Sequence, residues 1–335
     1  MIRAFALPLA HPLETARGTI DERRGFLFAR NGGIGEATPL PGWTESLGAC
    51  EQALEAAESA DGWNDALAAC EDAPAARHAV SLAKLDAEAR DANVSFAHHL
   101  AENPAESVPV NATVGDASVE DTVDEVRAAV ERGFDTVKVK VGARSVEADV
   151  ERLRAVRDAT DVTLRADANG TWTREQAREA FDAFADLGVE YVEQPLPADD
   201  LAGHADLRGG EVGVALDESL TEHALGDVLD AADYVVLKPM ALGGVDRALD
   251  AVRDARRAGV QPVVTTTVDA VVARTAAVHL AAAIPDVPAC GLATSDRLAD
   301  DLADDPAPVE DGRIRVPETP GHGVSVDLAE VNADA

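Results

Sequence analysis

From Val108 onward the sequence alternates short valine-rich runs with amphipathic stretches of about 10 to 15 residues, the mark of βα units feeding a parallel sheet. The runs are Val108–Val114, Thr136–Val141, Val162–Asp167, Tyr191–Gln194, Val212–Asp217, Tyr234–Lys238, Pro262–Thr266 and Cys290–Ala293. The stretches between them carry their own start and stop signals. "SVED" at 118 and "TREQ" at 173 have capping-box form, and Gly133 and Gly188 stand where a helix must turn left-handed to end. Eight strands with about seven helices predict an α/β fold, a (β/α) barrel of the TIM type. An open doubly wound sheet is the rival. It would want a glycine-rich phosphate turn after its first strand, and "VNATVGDAS" has no GxGxxG.

Residues 1–106 have a different texture. Two strand-like pieces, "RAFALPL" and "GFLFARNG", precede an alanine-rich helical region from Thr44 to about Ala92. The spacing divides the chain into 1–106, an α+β unit; 107–300, the barrel; and 301–335, a segment of strand and turn expected to fold back on the N-terminal unit. The opening "MIRAFALPLAHPLETARG" has an arginine and a short apolar run, but Pro8 and Pro12 interrupt it, so we read a strand rather than a leader. No run of 18 apolar residues occurs, and Cys50, Cys70 and Cys290 form no CxxC pair. These features predict a cytoplasmic protein that does not span a membrane.

The chain carries 62 acidic and 29 basic residues, a net charge of −33. That field repels nucleic acid and anionic membranes, which leaves a small-molecule ligand and an undetermined oligomeric state. With 46% hydrophobic residues the chain can still build a core. The acid-rich, lysine-poor balance is that of a surface hydrated in concentrated salt, similar to cytoplasmic proteins of extreme halophiles.

Only four lysines occur: Lys84, Lys138, Lys140 and Lys238. Two of them share one face of the strand "TVKVK", because side chains alternate along a strand. In a parallel barrel the C-terminal strand ends ring the mouth where chemistry is done. Those ends carry Lys138 and Lys140 on strand two, Asp167 on three, Glu193 on four, Asp217 on five and Lys238 on six. Carboxylates from three adjacent strands suit Mg²⁺ or a similar divalent cation such as Mn²⁺, which takes hard oxygen donors. Zinc does not fit: the eight histidines lack ligand spacing, and His98 and His99 fall outside the barrel. Strands two and six lie opposite each other in an eight-strand barrel, so Lys140 and Lys238 should face across the mouth. A lysine desolvated near a cation has a lowered pKa and can act as a base, whereas arginine cannot. The chemistry predicted is proton abstraction alpha to a carboxylate.

The ordered set KxK, DAN, EQP, DES and KP resembles the muconate-lactonising subgroup of the enolase superfamily, and the likeness covers essentially the whole chain. It implies a (β/α)7β barrel with an N-terminal α+β capping domain completed by the C-terminal tail. Within the subgroup, "GIGEATPLPGWTESL" at 33–47 looks like the capping stretch of the o-succinylbenzoate synthases of menaquinone biosynthesis. That resemblance implies Lys140 as acid and base, Lys238 as the cation on the opposite face, and Asp167, Glu193 and Asp217 as Mg²⁺ ligands. Lys138, Arg165, Asn169, Thr265, Thr266 and Thr267 are then expected around a small carboxylate substrate. "GLAT" at 291–294 departs from the commoner "GLDT", and Gly243 with Gly244 could be an anion-binding turn or simply a tight one.

The activity implied is a carbon–oxygen lyase. The alternatives are a dipeptide epimerase or N-acylamino-acid racemase of the same superfamily, and, outside enzymes, a binding protein on a decayed barrel. Against the dipeptide epimerase, "CGLATSDR" lacks the DxD pair that would hold a substrate ammonium.

Overall fold

The computed structural model describes residues 1–15, 18–329 and 331. The last few residues of the expected C-terminal segment lie outside them. A three-stranded antiparallel sheet begins the chain: β1 (Ile2–Thr15), β2 (Gly18–Arg30) and β3 (Gly33–Ala37). The two prolines of β1 are absorbed by a shift in its pairing with β2 between Pro8 and Leu13.

Helices α1 (Leu47–Ser59), α2 (Trp63–Ala69), α3 (Pro74–Asp91) and α4 (Phe96–Leu100) follow. Alanine dominates the buried positions of α3, so the sheet can come very close. At Gly33 and Gly35 an added Cβ would lie 2.0 Å from Ala83 O and 1.9 Å from Ala79 O. Only glycine permits that contact, which accounts for the "GIG" of the capping stretch.

The chain then gives β4 (Ser107–Pro109), β5 (Ala112–Val114), α5 (Val119–Glu131), β6 (Thr136–Lys140), α6 (Val146–Ala159), β7 (Thr163–Asp167), α7 (Arg174–Ala185), β8 (Val189–Glu193), α8 (Leu201–Leu207), β9 (Gly213–Leu216), α9 (Leu225–Asp230), β10 (Tyr234–Leu237), α10 (Pro239–Leu242), α11 (Val245–Arg257), β11 (Gln261–Val264) and α12 (Val271–Ala282). Ser118 and Thr173 cap α5 and α7 as the sequence predicts, and Gly133 and Gly188 have φ of 84° and 62°.

Strands β5 to β11 form one curled parallel sheet in chain order. Two expected strands differ from their sequence reading. The run 108–114 is split, because β4 pairs antiparallel with the tail strand β13 (Arg313–Arg315), itself hairpinned to β12 (Val309–Glu310). The eighth run is reduced to single bridges, Val110 with Cys290 and Thr265 with Gly291, which link the sheet's two edges. The fold is thus an α/β curled barrel of the (β/α)7β kind with an antiparallel sheet as cap. The C-terminal segment reaches both parts: β13 pairs with β4 on the barrel side, while Gly321 bridges Ser95 and the His322 N–H donates to Asp86 of α3 in the N-terminal unit.

Alternation along β6 buries Val137 and Val139 against the helices and turns Lys138 and Lys140 inward. No described helix is long and apolar enough to cross a membrane, and all three cysteines are buried and unpaired.

Candidate active site

The register of the parallel sheet assembles the mouth. Lys140 stands beside Asp167, and Asp167 beside Glu193, with Asp217 just beyond the end of β9. All three carboxylates are buried. Lys138 Nζ lies 3.0 Å from Asp167 Oδ2 and 2.7 Å from Glu193 Oε2. Lys140 Nζ donates to Asp167 Oδ2 and Asn169 Oδ1, both at 2.7 Å. Lys238 Nζ, from the strand four places along the sheet, donates to Asp217 Oδ2 at 2.5 Å. The lysines therefore flank the carboxylates from two sides.

Burial and charge divide the three acids. Burial opposes ionisation of Asp167, yet Lys138 and Lys140 hold it below the usual range. Burial and the neighbouring charge of Asp167 push Glu193 up. Burial raises Asp217 to about 7, with Lys238 opposing and Glu218 and Glu193 adding to the rise.

Lys138 behaves against expectation. Burial alone would lower it, but Asp167 and Glu193 hold it well above the ordinary lysine range. Its side chain is 15% exposed against 36% for Lys140. Lys138 is thus the fixed countercharge of two carboxylates, not an open substrate contact. Lys140 is the more open of the two at the mouth.

Among the described residues, no three His, Cys, Asp or Glu side chains converge closely enough, as they stand, to enclose an ion. Each acid is drawn onto a lysine instead. The donor set nonetheless fits a hard divalent cation. Asp217 Oδ1 and Glu218 Oε2 are buried without a hydrogen-bond partner, and burial pushes Glu193 and Asp217 up despite their lysines, which a bound cation would counter.

Residues behind the acids hold them in place. Gln194, at φ 42°, accepts the N–H groups of Asp217 and Ser219 on Oε1 and donates to Ser219 Oγ and Leu196 O. This is the structural content of "EQP": the glutamine of one strand end fixes the acid of the next. Asn169 bridges Lys140 to Glu218 through Oδ1 and Nδ2.

Arg165 is not at the mouth. It faces inward, but its guanidinium turns to the strand starts, donating to Glu190, to Asn111 and to Ala289 O, and it stacks on Tyr191. It is 1% exposed and fills the barrel floor with Tyr191, Val236 and Val263. The threonines divide similarly. Thr265 donates to Gly291 O, Thr266 bonds Thr294 across the rim, and buried Thr267 is tied to Asp269. Gly243 and Gly244 make a tight turn whose Gly243 carbonyl accepts from Arg77.

One contact was hidden from sequence reasoning: the ring of Trp43, in the cap, lies over the Lys238 ammonium. "PLPGW" reads as a turn, and only the contact across 195 positions gives the tryptophan a function.

Residues 121–331 match the family model described as enolase C-terminal domain-like. The chain belongs to the enolase superfamily. Its relatives fall in the muconate-lactonising-like subgroup. An o-succinylbenzoate synthase of Thermobifida fusca (strain YX) is 40% identical over 211 residues, 60% of this chain and 64% of that protein, so the match spans just under two thirds of the synthase. A chloromuconate cycloisomerase of Cupriavidus necator is 29% identical over 264 residues, 76% of this chain and 71% of that one. Among solved structures, the dipeptide epimerase of Methylococcus capsulatus, complexed with Mg and the dipeptide L-Arg-D-Lys, is similar with a TM-score of 0.85 at 29% identity, covering 96% of this chain and 98% of that chain.

Proposed function

We propose that the chain is an o-succinylbenzoate synthase, a lyase that dehydrates 2-succinyl-6-hydroxy-2,4-cyclohexadiene-1-carboxylate to 2-succinylbenzoate in menaquinone biosynthesis. Sequence likeness supports it: the synthase is 40% identical over 60% of this chain, and the dipeptide epimerase 29% over 96% of it. The observation that carries the lyase over the epimerase is the rim at Gly291–Thr294. It holds no carboxylate for a substrate ammonium, and its Thr294 hydroxyl faces Thr266 instead.

In this reading Asp167, Glu193 and Asp217 hold Mg²⁺, or Mn²⁺ in its place. The bound cation supplies positive charge that draws electrons toward the substrate carboxylate. Lys140, the most open of the three lysines, takes the alpha proton as a neutral amine. The ring then expels its hydroxyl as the C–O bond breaks, and the Lys140 ammonium returns the proton so that water leaves. One side chain serves both steps, which requires departure from the face that lost the proton. Lys238, held by Asp217 and Trp43, keeps a fixed positive charge on the opposite face. Thr266 and Thr294 offer hydroxyls to the substrate's remaining oxygens. Lys138 neutralises Asp167 and Glu193.

The test is the dehydration assay with Mg²⁺ in concentrated KCl, followed by the ultraviolet absorbance of the aromatic product. Turnover supports the reading. Alpha-proton exchange of a dipeptide in D₂O, with no aromatic product from the cyclohexadiene, would replace it with the epimerase.

A further inference from the structure

Helix α12 starts immediately after the threonine loop 265–269, and its N-cap, Ala270, has no side chain able to cap it. Asp301 of the C-terminal segment accepts the Val271 N–H, and two more of the missing bonds come from the cap. Glu36, fully buried on β3, accepts the Ala270 N–H on Oε1 and the Ala273 N–H on Oε2, both at 2.8 Å. Ala270 is the N-cap and Ala273 the third helical residue, so one carboxylate reaches the two amides that a capping box satisfies locally. The placement also sets a carboxyl group, raised by burial and Asp269 to about 7, at the positive end of the helix, which favours its charged form.

Further contacts join the same two segments. Arg23 of β2, 2% exposed, donates to the carbonyls of Thr38 and Pro39 in the cap and of Val268 in the loop. Val268 has φ 61°, a left-handed conformation unfavourable for a β-branched residue, which persists only where the surroundings enforce it. Thr38 donates to Glu36, and His78 of α3 bonds the Glu36 carbonyl. Thr38 lies five residues before Trp43, whose ring covers Lys238.

We propose that Glu36 is a positioning residue: by capping α12 from another part of the chain, it locks the strained 265–270 loop and the 38–43 cap segment into one unit over the mouth. The loop's part in holding substrate rests on the function proposed above. The mechanical coupling does not.

The test compares Glu36→Gln with the double variant Glu36→Gln, Ala270→Ser in the full chain. Glutamine keeps the shape but turns a donor toward an amide. Serine at 270 can then cap Ala273 locally, without any tie to the cap. Amide exchange read by mass spectrometry should quicken roughly tenfold in both 265–273 and 38–43 for Glu36→Gln, with α7 unchanged. The double variant should regain the melting temperature and slow exchange at the start of α12, while 38–43 stays fast. With whichever substrate turns over, KM should rise more than kcat falls, and the serine should not rescue it. Unaltered exchange in 38–43 for Glu36→Gln, or full rescue of exchange and KM by the local serine cap, would overturn the proposal. If no substrate is found, the exchange data alone decide the coupling.

Discussion

The Lys238 ammonium sits 3.4 Å from the centre of the Trp43 ring. The same nitrogen donates to Asp217, so a cation on the barrel is held between a buried carboxylate and an aromatic face from the cap. Such a contact contributes about 0.5–2 kcal/mol when partly desolvated. A double-mutant cycle of Trp43→Leu with Lys238→Met, read by chemical denaturation, should give a coupling of that size. Additive single variants would mean that the ring merely covers the lysine.

The carboxylates give a second expectation. Asp167→Asn, Glu193→Gln and Asp217→Asn should each abolish turnover and weaken Mg²⁺ binding in calorimetric titration while the fold persists, since the apolar core lies outside the mouth. For the wild type, Mg²⁺ at a hundred times its Kd should add about 2.7 kcal/mol of stability. Chelation should remove it. Unchanged Mg²⁺ affinity in all three variants would dispose of the metal assignment.

Much of this site was readable because its chemistry is periodic. Asp167, Glu193, Asp217 and Lys238 recur one βα unit apart, and valine alternation set the face of Lys138 and Lys140. What alternation does not give is depth. Arg165 faces inward like its neighbour Lys138, but its long side chain turns to the barrel floor, where Glu190 and Tyr191 receive it. Alternation also says nothing of contacts between distant segments. Glu36 meets Ala270 across 234 positions, and the acidic stretch after Ser295 has no pattern that names its partners. Its Asp301 in fact caps the Val271 N–H and, with Asp305, binds Arg274. The eighth run kept strand composition but not strand pairing, because its neighbours engage only Cys290 and Gly291.

A third expectation concerns acid. His322 accepts the Val324 N–H on Nδ1, and its carbonyl faces His279 Nε2, at the junction of the tail with α3 and α12. Burial pushes His279 down to about 3; it pushes His322 down to about 4, with Asp86 opposing and Arg90 assisting. Between those values and about 6.5 each of these histidines binds more protons in the unfolded chain than in the native one, so the stability they contribute is complete above pH 6.5 and falls as pH drops toward 4. The cost at His322 is on the order of 3 kcal/mol by pH 4. His322→Asn keeps an acceptor for Val324 but cannot titrate. Its stability deficit relative to the wild type should therefore shrink from pH 7 to pH 5 in denaturant melts at fixed KCl. A constant deficit would contradict this.

Salt should act in the opposite sense to ordinary ion-pair screening. With a net charge of −33, diluting KCl from 1 M to 0.1 M extends the screening length from about 3 Å to about 10 Å, and self-repulsion grows. Melting temperature should rise steadily with KCl. A flat series would leave the acidic surface without this explanation.

The two opposed lysines separate lyase from racemase. Arginine keeps the charge of either lysine but cannot accept a proton near neutral pH. If Lys140 is the acid and base, Lys140→Arg should lose both alpha-proton exchange and aromatic product, a fall of at least about 100-fold in kcat. Lys238→Arg leaves a cation beside Asp217 and should retain measurable dehydration, reduced by the poorer fit of a planar guanidinium beneath Trp43. In a racemase both nitrogens exchange protons, so each variant should lose exchange with one enantiomer and keep it with the other. Proton NMR in D₂O, run beside the ultraviolet assay, distinguishes the two patterns. Enantiomer-specific exchange by both variants, with no aromatic product from the wild type, would assign the site to an isomerase.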